Sequence, residues 1–538
     1  MTRREAWLTA AVIFTVALVA RAIVASQIVF PKPEDTAYYV GVARNLLEGR
    51  GLVSDALWSY GTPPLVLPRP AFEVWLPLPT FLAAVPMAIL GLTFSAAQVS
   101  SVVIGSIVPV LAWRLAADVA VERGLPPGRA RTLAIGAGLT SAVYLPLLLH
   151  SALPDSTMLF AVLALGACLL MTRLARDGPA VRSTDLRVIG LGVLIGLAAL
   201  TRNEAIWLGL TWAFIGWRAG KLRLVAVAGA AAILVFVPWM IRDWVVFGSP
   251  LPGQALTNAL SVTGTDIFAW NDPPTLSRYL AIGPARLLEL RVEGIAHNLF
   301  SVLLFLGLPL SIIGLLSLPW QTRGAAIRPV LILSVTTFLV TGLLFPVSTT
   351  WGTFLHASGP VNVLIIISAL LALDAGIARL GARLGWTRPV AWLGPMLGIF
   401  GSLLFSVALL PAFGASSRQT ETRFEELGPR MAAIGHPLDA SAGPVITNFP
   451  IWLAETARIP VLALPDEPPV DVLDLAHDPA FPGTHLLVVI DGEGRWPAVL
   501  ATGVEAAACF RELDLGVPAD PAIADPLRGV RAFEVVCP

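Results

Sequence analysis

The 538-residue chain reads as a polytopic α-helical membrane protein with a small C-terminal α/β domain. Three observations predict this. Hydrophobic residues make up 56% of the chain and charged residues only 13%, against roughly 25% charged in soluble domains. Apolar runs of membrane-crossing length recur through residues 1–411. From 412 to 538, short β-branched stretches such as Pro444-Val-Ile-Thr-Asn-Phe449 and His485-Leu-Leu-Val-Val-Ile-Asp491 alternate with helical patterns at 451–458 and 470–477. The formal net charge of zero leaves no basic excess, so nucleic-acid binding is not expected. Among the 36 basic residues only Lys32 and Lys221 are lysines, which, with abundant Ala, Gly and Pro, points to a GC-rich bacterial source.

A bilayer core takes about 20 apolar residues per helix. Runs near 7–29, 95–117, 132–149, 155–172, 187–201, 205–217, 222–241, 297–318, 327–345, 358–378 and 389–411 predict about eleven spans. The first follows Arg3-Arg4 and has no small-x-small cleavage site before a soluble domain, so it reads as a retained signal anchor. Arg114/Arg123/Arg129/Arg131, Arg173/Arg176/Arg182/Arg187, Arg218/Lys221/Arg223, Arg323/Arg328 and Arg379/Arg383/Arg388 fall in alternate loops on the side of Arg3-Arg4. Basic loops stay cytoplasmic, which puts the N-terminus inside a bacterial cytoplasmic membrane and the C-terminal domain outside. The scheme holds only if Val74–Leu90, interrupted by Pro77, Pro79 and Pro86, does not cross. It is expected as an interfacial or re-entrant helical pair in an outer loop 30–94. Cys168 lies in an apolar run; Cys509 and Cys537 share the tail and can pair if it is extracytoplasmic.

The chemistry-bearing candidates all fall on the outer face. Asp35 opens Asp35-Thr-Ala-Tyr-Tyr-Val-Gly-Val-Ala-Arg-Asn-Leu-Leu-Glu-Gly-Arg-Gly51 where the first span leaves the bilayer. A carboxylate there can take a proton from an acceptor, or simply cap a helix over 37–47. Glu73, in Arg69-Pro-Ala-Phe-Glu-Val-Trp-Leu-Pro-Leu-Pro79, is a second acid able to hold a hydroxyl or a divalent metal, or a wet residue beside the interfacial Trp75. Asp155, after Pro154, either lines a site or caps the span that follows. Arg202 and Arg242 are cations on a face poor in them, and the guanidinium fork suits phosphate; Arg202 can equally pair with Glu204. His356, in Thr349-Thr-Trp-Gly-Thr-Phe-Leu-His356, can donate to a phosphate or join a metal site, although a lone His is more often structural. No His-x-x-x-His or paired-Cys spacing supports a structural zinc.

The Asp35 segment, with its Tyr-Tyr and Gly-x-Gly stop, and Pro238-Trp-Met-Ile-Arg-Asp-Trp-Val-Val-Phe-Gly-Ser-Pro250 resemble the signatures of GT-C glycosyltransferases, in particular the aminoarabinose transferase and protein O-mannosyltransferase branch. The resemblance covers roughly 5–415. It implies a GT-C-like fold and transfer of a sugar from a polyprenyl-phosphate lipid to a lipid, glycan or protein acceptor. Asp35 would be the base, Glu73 and Asp155 further acids, and Arg202, Arg242 and His356 the donor-phosphate ligands. A cofactor is not required, and a divalent metal is compatible. A transporter or lipid flippase is the rival reading, favoured by helices broken at mid-bilayer and by repeated halves. Here the halves do not resemble each other. The orientation has a direct check: a reporter fused near residue 420 is expected to read as extracytoplasmic, and a cytoplasmic signal overturns the placement of every candidate residue.

Overall fold

The structure, a computed structural model, describes residues 2–177, 185–386, 390–491, 496 and 505–537. Every expected apolar run forms helix. The first is α1 (Arg3–Ala25), started by a capping box in which Thr2 and Glu5 satisfy each other's backbone donors. The outer loop holds α2 (Glu34–Leu47), the short strands β1 (Val53–Ser54), β2 (Ala56–Leu57) and β3 (Arg69–Pro70), and α3 (Leu78–Leu90). The expected helical pair over 74–90 is thus a single helix. Pro77 and Pro79 sit at its cap and first turn, where a missing N–H costs nothing, so they start the helix rather than divide it.

The bundle continues with α4 (Phe94–Gly105), α5 (Ile107–Glu122), α6 (Pro127–Val143), α7 (Leu145–Ser151), α8 (Ser156–Arg176), α9 (Leu186–Ala199), α10 (Ala205–Arg218) and α11 (Leu222–Phe247). After α12 (Ala255–Leu260) and α13 (Leu276–Ala281), α14 (Gly283–Ala296) runs into a π-helical stretch, His297–Phe305, ahead of α15 (Leu310–Gln321). Then come α16 (Arg328–Leu344), the short α17 (Thr353–Ala357), α18 (Gly359–Arg383) and α19 (Leu393–Ala433). Among the described residues six helices are long and apolar enough to cross a membrane, or up to eight if each bent pair is one span. Eleven is the expectation from composition. The difference lies in runs such as 187–201, 205–217 and 327–345, whose helices have 14, 14 and 17 residues. At 1.5 Å per residue these reach only about 21–26 Å, short of a core of about 30 Å.

The arginine-rich loops gather at one end of the bundle. Arg129 forks onto Asp374, Arg123 donates to Gln321, Arg176 pairs with Glu122, and Lys221 reaches the carbonyls of Leu174 and Asp177. Glu122 also accepts from the backbone N–H of Ala325 and Ala326. Arg182 and Arg388 lie outside the described residues.

At the opposite end sits a six-stranded sheet. Its members are β2, β4 (Val445–Thr447), β5 (Val461–Ala463), β6 (Leu486–Val489), β7 (Phe510–Leu513) and β8 (Arg531–Val535), in the order β2-β5-β4-β6-β8-β7. Strands β2, β5, β4 and β6 are parallel, and β7 and β8 are antiparallel. The central strands are wholly buried, as parallel strands covered on both faces must be; α20 (Pro450–Ala457) and α21 (Pro469–His477) supply the crossovers. Cys509 and Cys537 form a disulfide. The boundary expected at 411/412 falls inside α19, which runs on to Ala433.

Because β2 belongs to the first outer loop, loop and tail fold as one body. Tyr60 Oη donates to the Ala463 carbonyl at 2.6 Å, and Trp452 Nε1 to that of Pro31 at 3.2 Å. Arg44 forks onto Glu455, and Arg458 pairs with Glu48. Glu34 Oε1 accepts from Ile451 N at 3.0 Å and Trp452 N at 3.4 Å, capping α20. Desolvation at this contact pushes the Glu34 carboxyl up from 4.5 to about 8, against the pull of those two hydrogen bonds and with a small push from the Asp35 charge. The folded protein keeps a proton there that the unfolded chain releases, so the contact loses stability as pH rises through the window from about 4.5 to 8. Glu34→Gln retains the acceptor and removes the titration. Thermal scans should show the melting temperature falling less steeply from pH 5 to 8 in Glu34→Gln than in the wild type; parallel slopes would discard this assignment.

Candidate functional site

The turns at the sheet end bring four of the six sequence candidates together. Asp35 lies in the first turn of α2, not at its cap, because the helix begins at Glu34 after Pro33. Its Oδ2 is 3.4 Å from His356 Nε2. His356 projects from α17, where Gly352 at φ 119° turns the chain so closely that a Cβ there would lie 3.1 Å from the imidazole. On its other edge, His356 Nδ1 shares a 2.8 Å hydrogen bond with Thr157 Oγ1 and lies 3.5 Å from Asp155 Oδ2. The imidazole therefore stands between two carboxylates, one partly open (Asp35, 21% side-chain exposure) and one sealed (Asp155, 0%).

Asp155 caps α8 through Oδ1, which accepts from Thr157 N at 2.7 Å. Both roles weighed from sequence are thus physically compatible. Its Oδ2 has no hydrogen-bond partner, and neither has the Nδ1 of His150, 3.8 Å away. These separations exceed hydrogen-bond length. Burial pushes the Asp155 carboxyl up, but the flanking imidazoles of His150 and His356 outweigh it and hold the group well below the usual carboxylate range. Burial likewise lowers His356, and the charges of Asp35 and Asp155 more than reverse this, so the ring is raised above its ordinary value.

Arg202 closes the cluster. It forks onto Glu204 at 2.9 and 3.0 Å and gives Nη1 to Ser156 Oγ at 2.7 Å and Nη2 to the Thr353 carbonyl at 3.3 Å. Its charge also acts on Asp35 and Tyr39. The ion pair with Glu204 and a place beside Asp35 therefore coexist.

Glu73 and Arg242 belong to a neighbouring cluster on the Tyr38 side of α2. Glu73 Oε1 accepts from Arg69 Nε at 3.0 Å, both side chains being 1% exposed, and Oε2 has no partner. Desolvation raises the Glu73 carboxyl despite Arg69 and the more distant charge of Arg242. Arg69 is held by the carbonyls of Pro64 and Thr62. Arg242 pairs with Asp243 at 2.9 Å and lies on the faces of Trp239 and Phe247. Successive residues of a helix point about 100° apart, so Tyr38 faces this cluster while Tyr39 faces the first.

His150 and Thr157 are the members that sequence reasoning passed over; Glu204 entered it only as an ion-pair partner for Arg202. His150 sits five residues before Asp155 in a turn already singled out, so the signal was a His beside an acid on one outer loop. One ligand atom from each of His150, Asp155 and His356 lies within 4.8 Å of the others. Ligands at about 2.0–2.1 Å around a tetrahedral cation stand roughly 3.4 Å apart, so a small inward shift would let the unpartnered His150 Nδ1 and Asp155 Oδ2, with a nitrogen of His356, hold a divalent ion. Neutral imidazoles and a carboxylate are a donor set for zinc or a related metal.

No family model and no curated protein matches the chain. Among solved structures, ArnT from Cupriavidus metallidurans bound to undecaprenyl phosphate matches with a TM-score of 0.56 at 13% identity over 98% of each chain, and the same protein in the apo state with 0.54 at 14% over 99% of each. The Archaeoglobus fulgidus oligosaccharyltransferase, in a complex with Zn and sulfate, matches with 0.53 at 16% identity over 92% of this chain and 71% of that one. At such identities the likeness establishes the fold alone: the chain shares the many-helix architecture of these proteins, the fold that its Asp35 and Arg242 segments led one to expect.

Proposed function

We propose that the chain is a glycosyltransferase that moves a sugar from a polyprenyl-phosphate donor to a lipid, glycan or protein acceptor at the outer face of a bacterial cytoplasmic membrane. The observation that carries this reading is the convergence of Asp35, Asp155, Arg202 and His356 at one end of the helical bundle. It gains support from the fold shared with a protein that binds undecaprenyl phosphate.

Asp35, the open carboxylate, takes the proton from the acceptor hydroxyl or amine as that atom attacks the anomeric carbon. The bond from that carbon to the phosphate oxygen breaks, and the electron pair leaves with the lipid phosphate. Arg202, already oriented by Glu204, and, when no cation is bound, the protonated His356 offset the growing charge on that phosphate. His150, Asp155 and His356, its ring then neutral, would hold a divalent cation, which when bound supplies positive charge in place of the imidazolium. Glu73, with one free oxygen, and Arg242 border the Tyr38 side, the candidate place for the acceptor's polar groups.

Replacing Asp35 by Asn keeps shape and hydrogen bonding and removes the base. Transfer should fall by about 10²–10⁴-fold with the melting temperature and donor binding retained; near-normal turnover would remove Asp35 from the chemistry. The cation site is tested apart from turnover. In calorimetric titration with Zn²⁺, His150→Ala and His356→Ala should each weaken binding by at least about tenfold, the lower end of what even second-shell losses cost. Equal affinity in wild type and both variants rejects these ligands.

A further inference from the structure

The proposed reaction leaves Arg21 without a role. It lies in α1, 0% exposed, and among the described residues its guanidinium meets no carboxylate. A charge buried at membrane depth is costly, and such residues are functional candidates by default. Its four hydrogen bonds go to neutral oxygens: Ser151 Oγ at 2.9 Å, and the carbonyls of Ala142, Ser141 and Ala17 at 3.2, 3.4 and 3.4 Å.

Those partners mark the 54° break between α6 and α7. Tyr144 is extended there, at ψ 122°. Pro146 has no N–H to return to Ala142, so the last carbonyls of α6 lose their intrahelical donors. Side chains replace them. Arg21 serves Ser141 and Ala142, and Ser406 Oγ from α19 serves Val143 at 2.7 Å. The Arg21 Nε also holds Ser151, whose hydroxyl donates to Leu147 at 2.5 Å. The fit is tight: a Cβ on Gly105 of α4 would lie 2.3 Å from Ser151 Oγ. Gln98 fixes the next residue by donating to the Ala152 carbonyl at 2.8 Å and to that of Ile28 at 3.0 Å. His150 is adjacent to Ser151, and its ring centroid is 5.8 Å from that of His356.

We infer that Arg21 is a positioning residue for His150: it satisfies the carbonyls freed at the α6–α7 break and grips Ser151, and so fixes the angle at which α7 delivers the His150 ring to Asp155 and His356. The inference rests on His150 belonging to the site, but not on the identity of the sugar or the cation. It predicts an effect on one ring rather than on stability alone.

The chain has six histidines, few enough for selective ¹³C labelling of the imidazole Cε1 and NMR of the full chain in lipid nanodiscs, with the His150 line identified by its loss in His150→Gln. Arg21→Lys keeps the cation and loses the fork; Ser151→Ala leaves the carbonyl contacts of Arg21 and removes the Nε contact together with the hydroxyl's own bond to Leu147. Both should move or broaden the His150 line and leave His436, His477 and His485 of the tail unchanged. In the transfer assay kcat should fall by up to about 10²-fold, the cost of roughly 1 Å of misplacement, with donor KM little altered. If Arg21→Lys fails to fold, Ser151→Ala decides. An unmoved His150 line in either folded variant overturns the inference, even if melting temperature drops. A wild type without transferase activity would instead sink the reaction proposed above and leave the spectroscopic result standing.

Discussion

An imidazole held between two carboxylates sets the terms for the sheet end of this molecule. His356 stands 3.4 Å from Asp35 and 3.5 Å from Asp155, and a buried arrangement of that kind tolerates only a narrow balance of charge. With the ring protonated, one negative charge remains across the three groups. Arg202 offsets it, and Glu204 in turn restrains Arg202. Four places reach this point and supply its members: the start of α2, the α7–α8 turn, the α9–α10 turn and α17. The spans set where the turns lie; the charge balance decides which side chains can occupy them together.

The second constraint is the union of the first outer loop with the tail. A sheet edge formed by β2, a helix N-terminus capped by Glu34 and the buried fork between Arg44 and Glu455 tie α2 to α20 at three levels. Asp35 is therefore not on a free loop. Its helix is packed below by α3 and above by a folded domain, so the carboxylate keeps its place while still partly open to a substrate.

Much of this was legible in the sequence, and what was not is instructive. Composition and apolar run length pointed to the helical bundle, the alternation after 412 to a small α/β domain, and the arginine pattern to the one end where the bonds of Arg129, Arg123 and Arg176 gather the basic loops. Asp35, Asp155, Arg202 and His356 were legible because ionisable groups in outer turns are few. His150 was not, because a single His inside a Leu-rich helical run looks structural until Asp155 and His356 are seen beside it. The grouping of Glu73 with Arg242 was hidden for a different reason: it depends on the 100° step between Tyr38 and Tyr39, which needs the helix start to be known. The loop-to-tail sheet was out of reach, since a two-residue strand such as β2 carries no periodic signal and its partner is hundreds of residues away.

That distance has a consequence for how the molecule is made. Tyr60 and Ala463, bonded in the finished protein, are 403 residues apart in sequence. At about 5–20 residues per second of synthesis, the outer loop emerges roughly 20–80 s before the strand it must join. During that interval α2 has no roof, and Glu34, Arg44 and Glu48 have no partners from the tail. The earliest-made wall of the site is thus completed by the last-made part of the chain, so a nascent protein at the membrane holds its acid, its arginine and its imidazoles long before it can hold them in register.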